Sequence, residues 1–411
     1  MKEKILIIHQ HFAFPDSGSA TRIYDLAKKF AENNYDVEVI CGSGYINKKY
    51  AKNRFWNTIK KDGITVRCLQ TNYSNNDSFY KRIFYFLYFL FFSTWKIFFT
   101  KSDLVIATST PLTVGIPALI NKLLTRTKFI FEVRDVWPSV PIKLGELKNK
   151  TLIKIALILE KKIYKNADFI VALSVDMKQN IVNRFPAFNN KIDVIANIAE
   201  IDRFSENNSG LIHEKKYVEL CKNKKVLLYT GTFGKVNGLL FVCELFSEVA
   251  KIDEQIVFVC FGNGREKEQI INRAKALQIL EKNFFIFDLI PKQELPSVIA
   301  LSTVSSSWVI DVEELWANSA NKYFDALAAG KPIVINYGGW QKNEIESNKT
   351  GIVLDYHCAN YRQKALRLVS FMNDTEVLKQ ASQNAKKLAT EKYSLDKATE
   401  KYLKIIKEII P

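Results

Sequence analysis

Short apolar runs alternate with amphipathic stretches along this chain, and the alternation constrains the fold more than any other feature. In the first half it predicts strands or helices over residues 5–9, 21–33, 37–41, 104–107, 129–132 and 169–173. The rhythm then restarts over residues 225–230, 236–250, 256–261, 266–277, 284–287, 295–301, 305–309, 321–329 and 333–336. Strands that alternate with helices form βαβ units around a parallel sheet. The sequence therefore predicts an α/β protein with two doubly wound domains.

Chain length and local composition predict where the domains meet. A chain of 411 residues exceeds the size at which one hydrophobic core keeps growing. Residues 198–216 (IAEIDRFSENNSGLIHEKK) lose apolar periodicity and gather polar residues, which is typical of a surface connection. We therefore predict one domain over residues 1–205 and a second over 206–385. Residues 386–411 are expected to form a lysine-rich helix that crosses back to the first domain.

Cysteine usage and net charge exclude several classes of protein. The six cysteines show no CxxC spacing and there are only four histidines, so we expect no zinc site and a reducing, cytosolic location. The first apolar run turns polar at His9 without a cleavage site, which favours a buried strand over a signal peptide. A net charge of +16 indicates an anionic partner. No nucleic-acid-binding motif accompanies the spread lysines, so phosphorylated substrates or an anionic membrane surface are favoured over nucleic acid.

One predicted helix, over residues 80–100, departs from the pattern of a soluble domain. Its uninterrupted apolar core, residues 83–95, lies between Arg82 and Lys96. A spanning helix needs about 20 apolar residues, so this core is short for a span. Aromatic residues flanked by cations favour a helix lying in the membrane interface. A helix buried in the protein core and a true span remain alternatives.

The first candidate site follows the first predicted strand, in PDSGSATRIYDLAKKF (15–30). Gly18 and Ser19 form a small-residue turn that opens a helix and points backbone N–H groups above the strand ends. A phosphate suits such a place. The alternative is an ordinary βα turn, since the GxGxxG pattern is not matched.

A second candidate site lies in FEVRDVWPSVP (131–141), where a strand ends in Glu132, Arg134, Asp135 and Trp137. Ligands of open α/β sheets bind beyond the carboxyl ends of the strands. One carboxylate could orient or deprotonate an acceptor hydroxyl, and the indole could stack on a sugar. The alternative is an ion pair that merely fixes the loop.

Two glycine-rich turns follow strands of the second half. In YTGTFGKVNG (229–238), Gly231 and Gly234 allow a ligand to approach the backbone, and Lys235 can reach a phosphate. FGNGREKEQI (261–270) repeats the arrangement with Gly264 and Arg265. The second turn lacks a third glycine, so it is a weak dinucleotide fingerprint.

A fourth candidate site is a helix in SANKYFDALAAGKPIVINYGG (319–339). Lys322 and Asp325 lie three residues apart and therefore share one helix face. Asp325 could accept hydrogen bonds from ribose hydroxyls while Lys322 meets a diphosphate. An exposed helix salt bridge is the alternative.

In this order and spacing the motifs resemble glycosyltransferase family 4, and within it the WbuB-like enzymes of bacterial surface-polysaccharide synthesis. The resemblance rests on residues 9–42, on RDVWP, on EKKIYKNADFIVALS followed by VIANI, on YTGTFGKVNG, on FGNGRE and on NKYFDALAAGKPIV. It implies the GT-B fold, in which two Rossmann-like domains face a central cleft. The first domain would bind the acceptor and the second the nucleotide-sugar.

The resemblance also implies an activity. We expect transfer of an N-acetylated hexosamine or deoxyhexosamine from a UDP-sugar to a lipid-diphosphate-linked glycan, with retention and without a metal or other cofactor. Fixed N–H groups and cations would meet the charge on the leaving diphosphate. The residues assigned to catalysis are Asp135, Arg134 and Glu132; to the donor Gly18, Ser19, Gly231, Gly234, Lys235, Gly264, Arg265, Lys322 and Asp325; and to the acceptor Trp137 and Arg22.

The sequence departs from the family at its E-x7-E signature. The second acid is Asp325, and the first position, eight residues earlier, is Ala317. Glu313, Glu314 and Asn318 lie nearby and could replace the missing acid.

Two rival functions remain, a UDP-hexosamine 2-epimerase of GT-B fold and a non-catalytic protein that binds the membrane surface. An epimerase should carry further acid/base carboxylates and histidines around the sugar, and His9, His11, His213 and His357 show no such clustering, which disfavours the epimerase. The charge and the apolar helix favour peripheral attachment to the inner face of the cytoplasmic membrane.

Overall fold

The computed structural model describes residues 2–17, 20–71, 73, 77–205, 212–291, 293–357 and 360–410. The chain divides into two compact units. Unit 1 comprises Met1–Ala196, Ala317–Ser319 and Leu395–Pro411, and unit 2 comprises Asn197–Trp316 and Ala320–Ser394. The predicted α/β class with two doubly wound domains is confirmed.

Unit 1 is built on a sheet that has eight strands within the described residues. They are β1 (Lys4–Ile8), β2 (Asp36–Gly42), β3 (Trp56–Lys61), β4 (Ile64–Leu69), β5 (Leu104–Thr108), β6 (Lys128–Val133), β7 (Phe169–Ala172) and β8 (Ile192–Val194). Their order is β3-β4-β2-β1-β5-β6-β7-β8, and β3 alone among them pairs in the antiparallel sense. Strands β3 and β4 form a hairpin with the turn Asp62-Gly63. They were not predicted from the sequence, because apolar and polar residues alternate in them and they lack the continuous apolar run of a buried strand.

The helices of unit 1 that precede its last segment cover both faces of this sheet. They are α1 (Arg22–Glu32), α2 (Phe79–Phe98), α3 (Gly115–Thr125), α4 (Ser139–Lys143), α5 (Lys150–Asn166) and α6 (Val175–Arg184). Apolar side chains of α2, α3, α5 and α6 share one buried core with the strands, with Phe89, Leu119, Ile163 and Ile181 as examples. These four helices therefore form one layer, as right-handed crossovers toward β8 require.

Unit 2 repeats the architecture with a parallel sheet. Its strands are β9 (Lys225–Thr230), β10 (Ile256–Phe261), β11 (Phe284–Phe287), β12 (Val304–Ser307), β13 (Ile333–Ile335) and β14 (Gly351–Val353), in the order β11-β10-β9-β12-β13-β14. Its helices are α7 (Ile201–Ser205), α8 (Lys215–Asn223), α9 (Leu239–Val249), α10 (Lys267–Ala276), α11 (Leu295–Leu301), α12 (Glu313–Trp316), α13 (Asn321–Ala328), α14 (Trp340–Asn348), α15 (Tyr361–Asn373) and α16 (Thr375–Lys392).

The last helix, α17 (Leu395–Ile409), belongs to unit 1. It packs against α1, where the rings of Phe30 and Tyr402 lie 5.7 Å apart and Lys29 pairs with Asp396 at 2.8 Å. The chain thus returns to its first unit after completing the second.

Helix α2 is only half covered by the rest of unit 1. Phe89 and Ile97 are buried in the core, whereas Phe84, Leu87, Phe91 and other apolar side chains along the opposite side are exposed. We call this exposed side, which comprises Tyr80, Ile83, Phe84, Leu87, Phe91, Trp95 and Phe98, the α2 face. Among the helices that the structure describes, none is long and apolar enough to cross a membrane.

Candidate functional site

The carboxyl ends of β1, β5 and β6 lie side by side in unit 1 and bring several polar groups together. Strand β5 pairs with β1 on one side and β6 on the other. The Thr110 hydroxyl, just after β5, donates to the Asp135 carboxylate at 2.5 Å. The Ser109 hydroxyl accepts a hydrogen bond from the Arg134 backbone N–H at 2.9 Å. The loop after β6 is thus held against the loop after β5, with the partly exposed Asp135 at its surface.

Glu132 and Arg22 lie in the interior of unit 1 and bind each other. The Arg22 guanidinium donates to the Glu132 carboxylate at 3.0 Å and to the Ile195 carbonyl at 2.9 Å, and the Tyr402 hydroxyl of α17 also donates to Glu132. Burial by itself raises the pKa of Glu132, but the charges of Arg22 and Arg134 outweigh it and hold this pKa below its ordinary value. These contacts give Glu132 and Arg22 a role in holding three elements together, and the catalytic role predicted for Glu132 and the acceptor-binding role predicted for Arg22 stay predictions.

Two histidines beside Arg134 were missed as a cluster by the sequence analysis. His9 is buried and its Nδ1 hydrogen-bonds to the Thr108 hydroxyl. Burial and the charge of Arg134 lower the pKa of His11 to about 4 and that of His9 well below its ordinary value. Both imidazoles are therefore neutral near pH 7. The sequence signal for this cluster was its position directly after the first predicted strand. Strand β1 lies next to β5 at the centre of the sheet, so residues that follow it lie among the central strand ends.

The other predicted residues of unit 1 are less closely connected. Trp137 is partly buried and packs against the core of unit 1. Its backbone N–H donates to the Asp135 carbonyl at 2.9 Å. Gly18 and Ser19, assigned to the donor from the sequence, lie outside the described residues.

In unit 2 the two glycine-rich turns interlock. The Phe233 N–H donates to the Asn263 carbonyl at 2.9 Å, and the Glu266 N–H donates to the Phe233 carbonyl at 3.0 Å. A Cβ atom at Gly264 would lie 2.3 Å from the Phe233 carbonyl oxygen, so this glycine is required by packing between the turns. At Gly234 the nearest atom to such a Cβ lies at 3.6 Å, which leaves room for a ligand or a side chain.

Lys322, near the start of α13, reaches the turn after β9. A Cβ atom at Gly231, whose φ is +147°, would lie 2.7 Å from Lys322 Cε, so the lysine lies directly on the Gly231 backbone. Its Nζ is 5.0 Å from the centre of the Tyr229 ring. Burial lowers the pKa of Lys322 to about 8, although the charge of Asp325 opposes this shift. The structure thus joins two motifs that are about ninety residues apart in the sequence.

The remaining predicted donor residues lie on the same helix as Lys322 or follow the strands β9 and β10. Asp325 is partly exposed on α13, one turn beyond Lys322. Lys235 and Arg265 are exposed and follow the ends of β9 and β10, which are adjacent strands. The carboxyl end of this sheet therefore carries cationic side chains and glycine backbone, which suits a phosphorylated ligand.

Ala317, which stands where the family has its first acid, is buried in unit 1. It is 8% exposed and belongs to the core of unit 1. Its carbonyl oxygen accepts a hydrogen bond from the Ser174 hydroxyl at 2.6 Å. Among the described residues, no group of three histidines, cysteines, aspartates or glutamates is arranged to hold a metal ion.

Two family models match the two halves of the sequence. Glycosyltransferase Family 4 matches residues 17–203, and Glycosyl transferases group 1 matches residues 213–388. The chain is 26% identical over 239 residues to the uncharacterized glycosyltransferase MJ1059 of Methanocaldococcus jannaschii, covering 57% of this chain and 55% of that protein. It is 26% identical over 195 residues to the putative colanic acid biosynthesis glycosyl transferase WcaI of Escherichia coli, covering 46% of each. The matches span less than two thirds of either relative.

Solved structures show the same fold over nearly the whole chain. HepE of Anabaena, crystallised with UDP and glucose, superposes with a TM-score of 0.71 at 14% identity and covers 99% of this chain and 100% of its own. WaaG, a glycosyltransferase involved in lipopolysaccharide biosynthesis, has a TM-score of 0.67 at 14% identity, with coverage of 98% and 99%. Family models thus match both halves of this chain, one as Glycosyltransferase Family 4 and one as Glycosyl transferases group 1, and its GT-B fold is shared from end to end with solved glycosyltransferases.

Proposed function

We propose that this protein transfers a sugar from a UDP-sugar to a lipid-diphosphate-linked glycan during surface-polysaccharide synthesis, with retention and without a metal. The donor sugar is proposed to be an N-acetylated hexosamine or deoxyhexosamine, as in the WbuB-like subgroup. The observation that carries the proposal is the position of Lys322 on the Gly231 turn, which makes a cationic anion-binding surface at the strand ends of unit 2.

The donor is proposed to bind at the strand ends of unit 2. Breaking the bond between the anomeric carbon and the diphosphate leaves negative charge on the departing UDP. Groups that meet this charge must already be in place, because reorganising solvent or side chains during the reaction would cost free energy. Lys322 is held by its contacts with the Gly231 turn, and the exposed Lys235 and Arg265, which follow adjacent strands, add further cations at the same end of the sheet. Asp325 supplies a carboxylate for the ribose hydroxyls.

The acceptor is proposed to bind at the strand ends of unit 1. Asp135 is held by the Thr110 hydroxyl at 2.5 Å and retains lone pairs that can orient an acceptor hydroxyl and receive its proton. Trp137 supplies an aromatic surface for the acceptor sugar. Arg134, whose charge interacts with that of Asp135, and the neutral His9 and His11 beside Arg134 supply further polar groups at these strand ends. Glu132 and Arg22 support this arrangement from below.

Membrane attachment through the α2 face is part of the proposal. Phe84 and Phe91 are 60% and 67% exposed, and the helix carries Lys81, Arg82 and Lys96 but no acidic residue. Apolar side chains with flanking cations suit the headgroup region of an anionic bilayer, where a lipid-linked acceptor would be found.

Release of UDP tests the transfer. The purified protein is incubated with a panel of UDP-sugars and a lipid-diphosphate sugar acceptor, and both UDP and the glycosylated product are measured. We expect acceptor-dependent UDP release that a chelator leaves unchanged. Loss of turnover with chelator would refute the metal-free mechanism, and conversion of the UDP-sugar without acceptor would indicate the epimerase instead.

The role of Asp135 is tested by Asp135→Asn with Thr110→Val as the matched control for its hydrogen-bonding partner. If Asp135 serves the acceptor, the amide should lower kcat by a factor of about 10²–10⁴ while UDP-sugar affinity stays close to that of the wild type. Thr110→Val keeps the carboxylate and should have a smaller effect on kcat. Equal loss of turnover and donor affinity in Asp135→Asn would make Asp135 a structural residue.

The role of the α2 face is tested by the triple substitution Phe84→Ser, Leu87→Ser and Phe91→Ser. These exposed positions should tolerate serine, so the variant should fold and move from the membrane to the soluble fraction. Retention of the folded variant on the membrane would refute attachment through this face.

A further inference from the structure

Helix α5 exposes apolar side chains that the sequence analysis did not single out. Leu152 and Ile155 are 53% and 55% exposed, and Ile158 is 47% exposed. The buried residues of this helix are Glu160, Ile163 and Tyr164, all in its C-terminal half. The first three turns of α5 therefore contribute little to the core of unit 1 and present their apolar side chains to solvent.

The same helix is strongly cationic. Residues 147–165 contain one acidic residue, Glu160, and the exposed lysines Lys148, Lys150, Lys154, Lys161, Lys162 and Lys165. Glu160 is buried and its carboxylate is neutralised by the Arg184 guanidinium at 2.6 and 2.7 Å. No acidic side chain in this stretch therefore offsets the exposed lysines.

The lysines and the apolar side chains form one surface. Lys150, Lys154, Lys161 and Lys165 are spaced by four, seven and four residues, which aligns them along the helix, and Ile158 lies beside them. A groove along α5 is lined by Ile153, Leu157 and Phe185 together with lysines. We call the surface formed by Ile155, Ile158, Lys154 and Lys161 the α5 face.

The α5 face belongs to the same helix layer as the α2 face. Helix α3 packs against both α2 and α5, and all three helices contribute to one core. The C-terminal turn of α3 adds Leu123 and Leu124, which are exposed, followed by the exposed Arg126. The exposed apolar side chains thus recur on three adjacent helices of one layer.

We propose that the α5 face is a second membrane-docking element, which binds the anionic headgroups of a bilayer through its lysines and inserts its apolar side chains between them. This inference rests on the membrane attachment proposed for α2 and extends it to a separate helix. Lysine side chains can keep their ammonium groups at phosphate level while their methylene stems cover apolar surface. A two-fold dimer through the α5 face would bring two cationic surfaces together, and their repulsion disfavours a second copy as the occupant.

Binding to vesicles tests the proposal with the full chain. Sedimentation compares vesicles of phosphatidylcholine with vesicles that also contain phosphatidylglycerol. Each lysine near an anionic surface strengthens binding about fivefold, so Lys154→Gln with Lys161→Gln should lower the partition coefficient about 30-fold. Ile155→Ser with Ile158→Ser should also weaken binding. The matched control is Lys404→Gln with Lys407→Gln, which removes the same charge from exposed positions of α17.

The proposal is supported if the wild type binds only the anionic vesicles and both α5 variants, but not the α17 control, bind them weakly. It is overturned if the control loses as much binding as the α5 variants, or if the α5 variants bind like the wild type. A wild-type dimer that becomes monomeric in Ile155→Ser with Ile158→Ser would also overturn it, since the face would then be a protein interface. If the α2 substitutions abolish vesicle binding and the α5 substitutions do not, docking through α5 is refuted and membrane attachment through α2 is supported. UDP release is measured separately on a water-soluble acceptor. Failure of the transfer proposal is therefore distinguishable from failure of docking through α5 and from failure of attachment through α2.

Discussion

Substituting Lys322 by glutamine removes the ammonium group that lies on the Gly231 turn, and the pH dependence of donor binding reveals whether this group meets the diphosphate. Burial lowers the pKa of Lys322 to about 8. A basic group is charged below its pKa, so the ammonium form predominates at neutral pH and is lost as the pH rises through about 8. UDP-sugar affinity should therefore be highest below this pH and decrease above it.

The size of the effect follows from this pKa. With a pKa of about 8, the charged fraction of Lys322 falls from about 90% near pH 7 to about 10% near pH 9. If only the charged form meets the diphosphate, the association constant falls about tenfold over this range. Removing the ammonium altogether, in Lys322→Gln, deletes a hydrogen bond to a charged group and should weaken binding by about 1.5–3 kcal/mol at neutral pH.

Isothermal titration calorimetry with a UDP-sugar, repeated across this pH range, measures both effects. Titration of the ligand itself is the same for both proteins, so the difference between their profiles reports Lys322 alone. Lys235→Gln provides a matched control. Loss of this exposed lysine should lower UDP-sugar affinity, but the decrease of affinity centred near pH 8 should remain as in the wild type. Parallel profiles for the wild type and Lys322→Gln would refute the assignment of Lys322 to the diphosphate.

Three further substitutions test the packing that supports the two strand-end sites. Gly264→Ala forces a Cβ atom against a backbone carbonyl and should lower the free energy of unfolding by about 1–3 kcal/mol, whereas Gly234→Ala should change it by less than about 1 kcal/mol; equal values in urea denaturation would contradict the interlocked turns. Tyr402→Phe removes a donor from the buried Glu132 carboxylate and should cost about 1.5–3 kcal/mol in the same assay, while an unchanged midpoint would mean that the hydroxyl contributes nothing. Ala317→Glu restores the family's first acid but buries a carboxylate, so thermal unfolding should show a loss of more than about 2 kcal/mol; a stable and more active variant would show that the missing acid limits activity.

Much of the fold was predictable because its signals are short-range. Residues 5–8, 226–229 and 256–261 are continuous apolar runs, and a parallel strand buried on both faces requires such a run. The glycine-rich pattern after two predicted strands likewise predicted the turns that contain Gly231 and Gly264. The subgroup, the donor sugar and the acceptor rest on resemblance and remain proposals.

Tertiary contacts decided which polar residues face solvent. Glu132 ends the predicted strand 129–132 and Arg22 lies near the start of the predicted helix 21–33, and charged residues at such ends suggested a site. Their burial depends on each other and on Tyr402, which is 270 residues from Glu132 in the sequence. A local pattern contains no information about a partner at that separation, so the sequence could not predict that this pair is buried.

Helices α2 and α5 show the same contrast between what the sequence pattern predicts and what tertiary contacts decide. The sequence indicates that α2 is apolar all round, but Phe89 is buried and Phe84 is exposed only because unit 1 covers one side of the helix. On α5 the exposed Ile155 and Ile158 have the sequence pattern of ordinary core residues. Apolar periodicity is a property of neighbouring residues and determines which segments become strands and helices. Exposure of a given side chain depends on what packs over it, and that is decided only when distant segments come together.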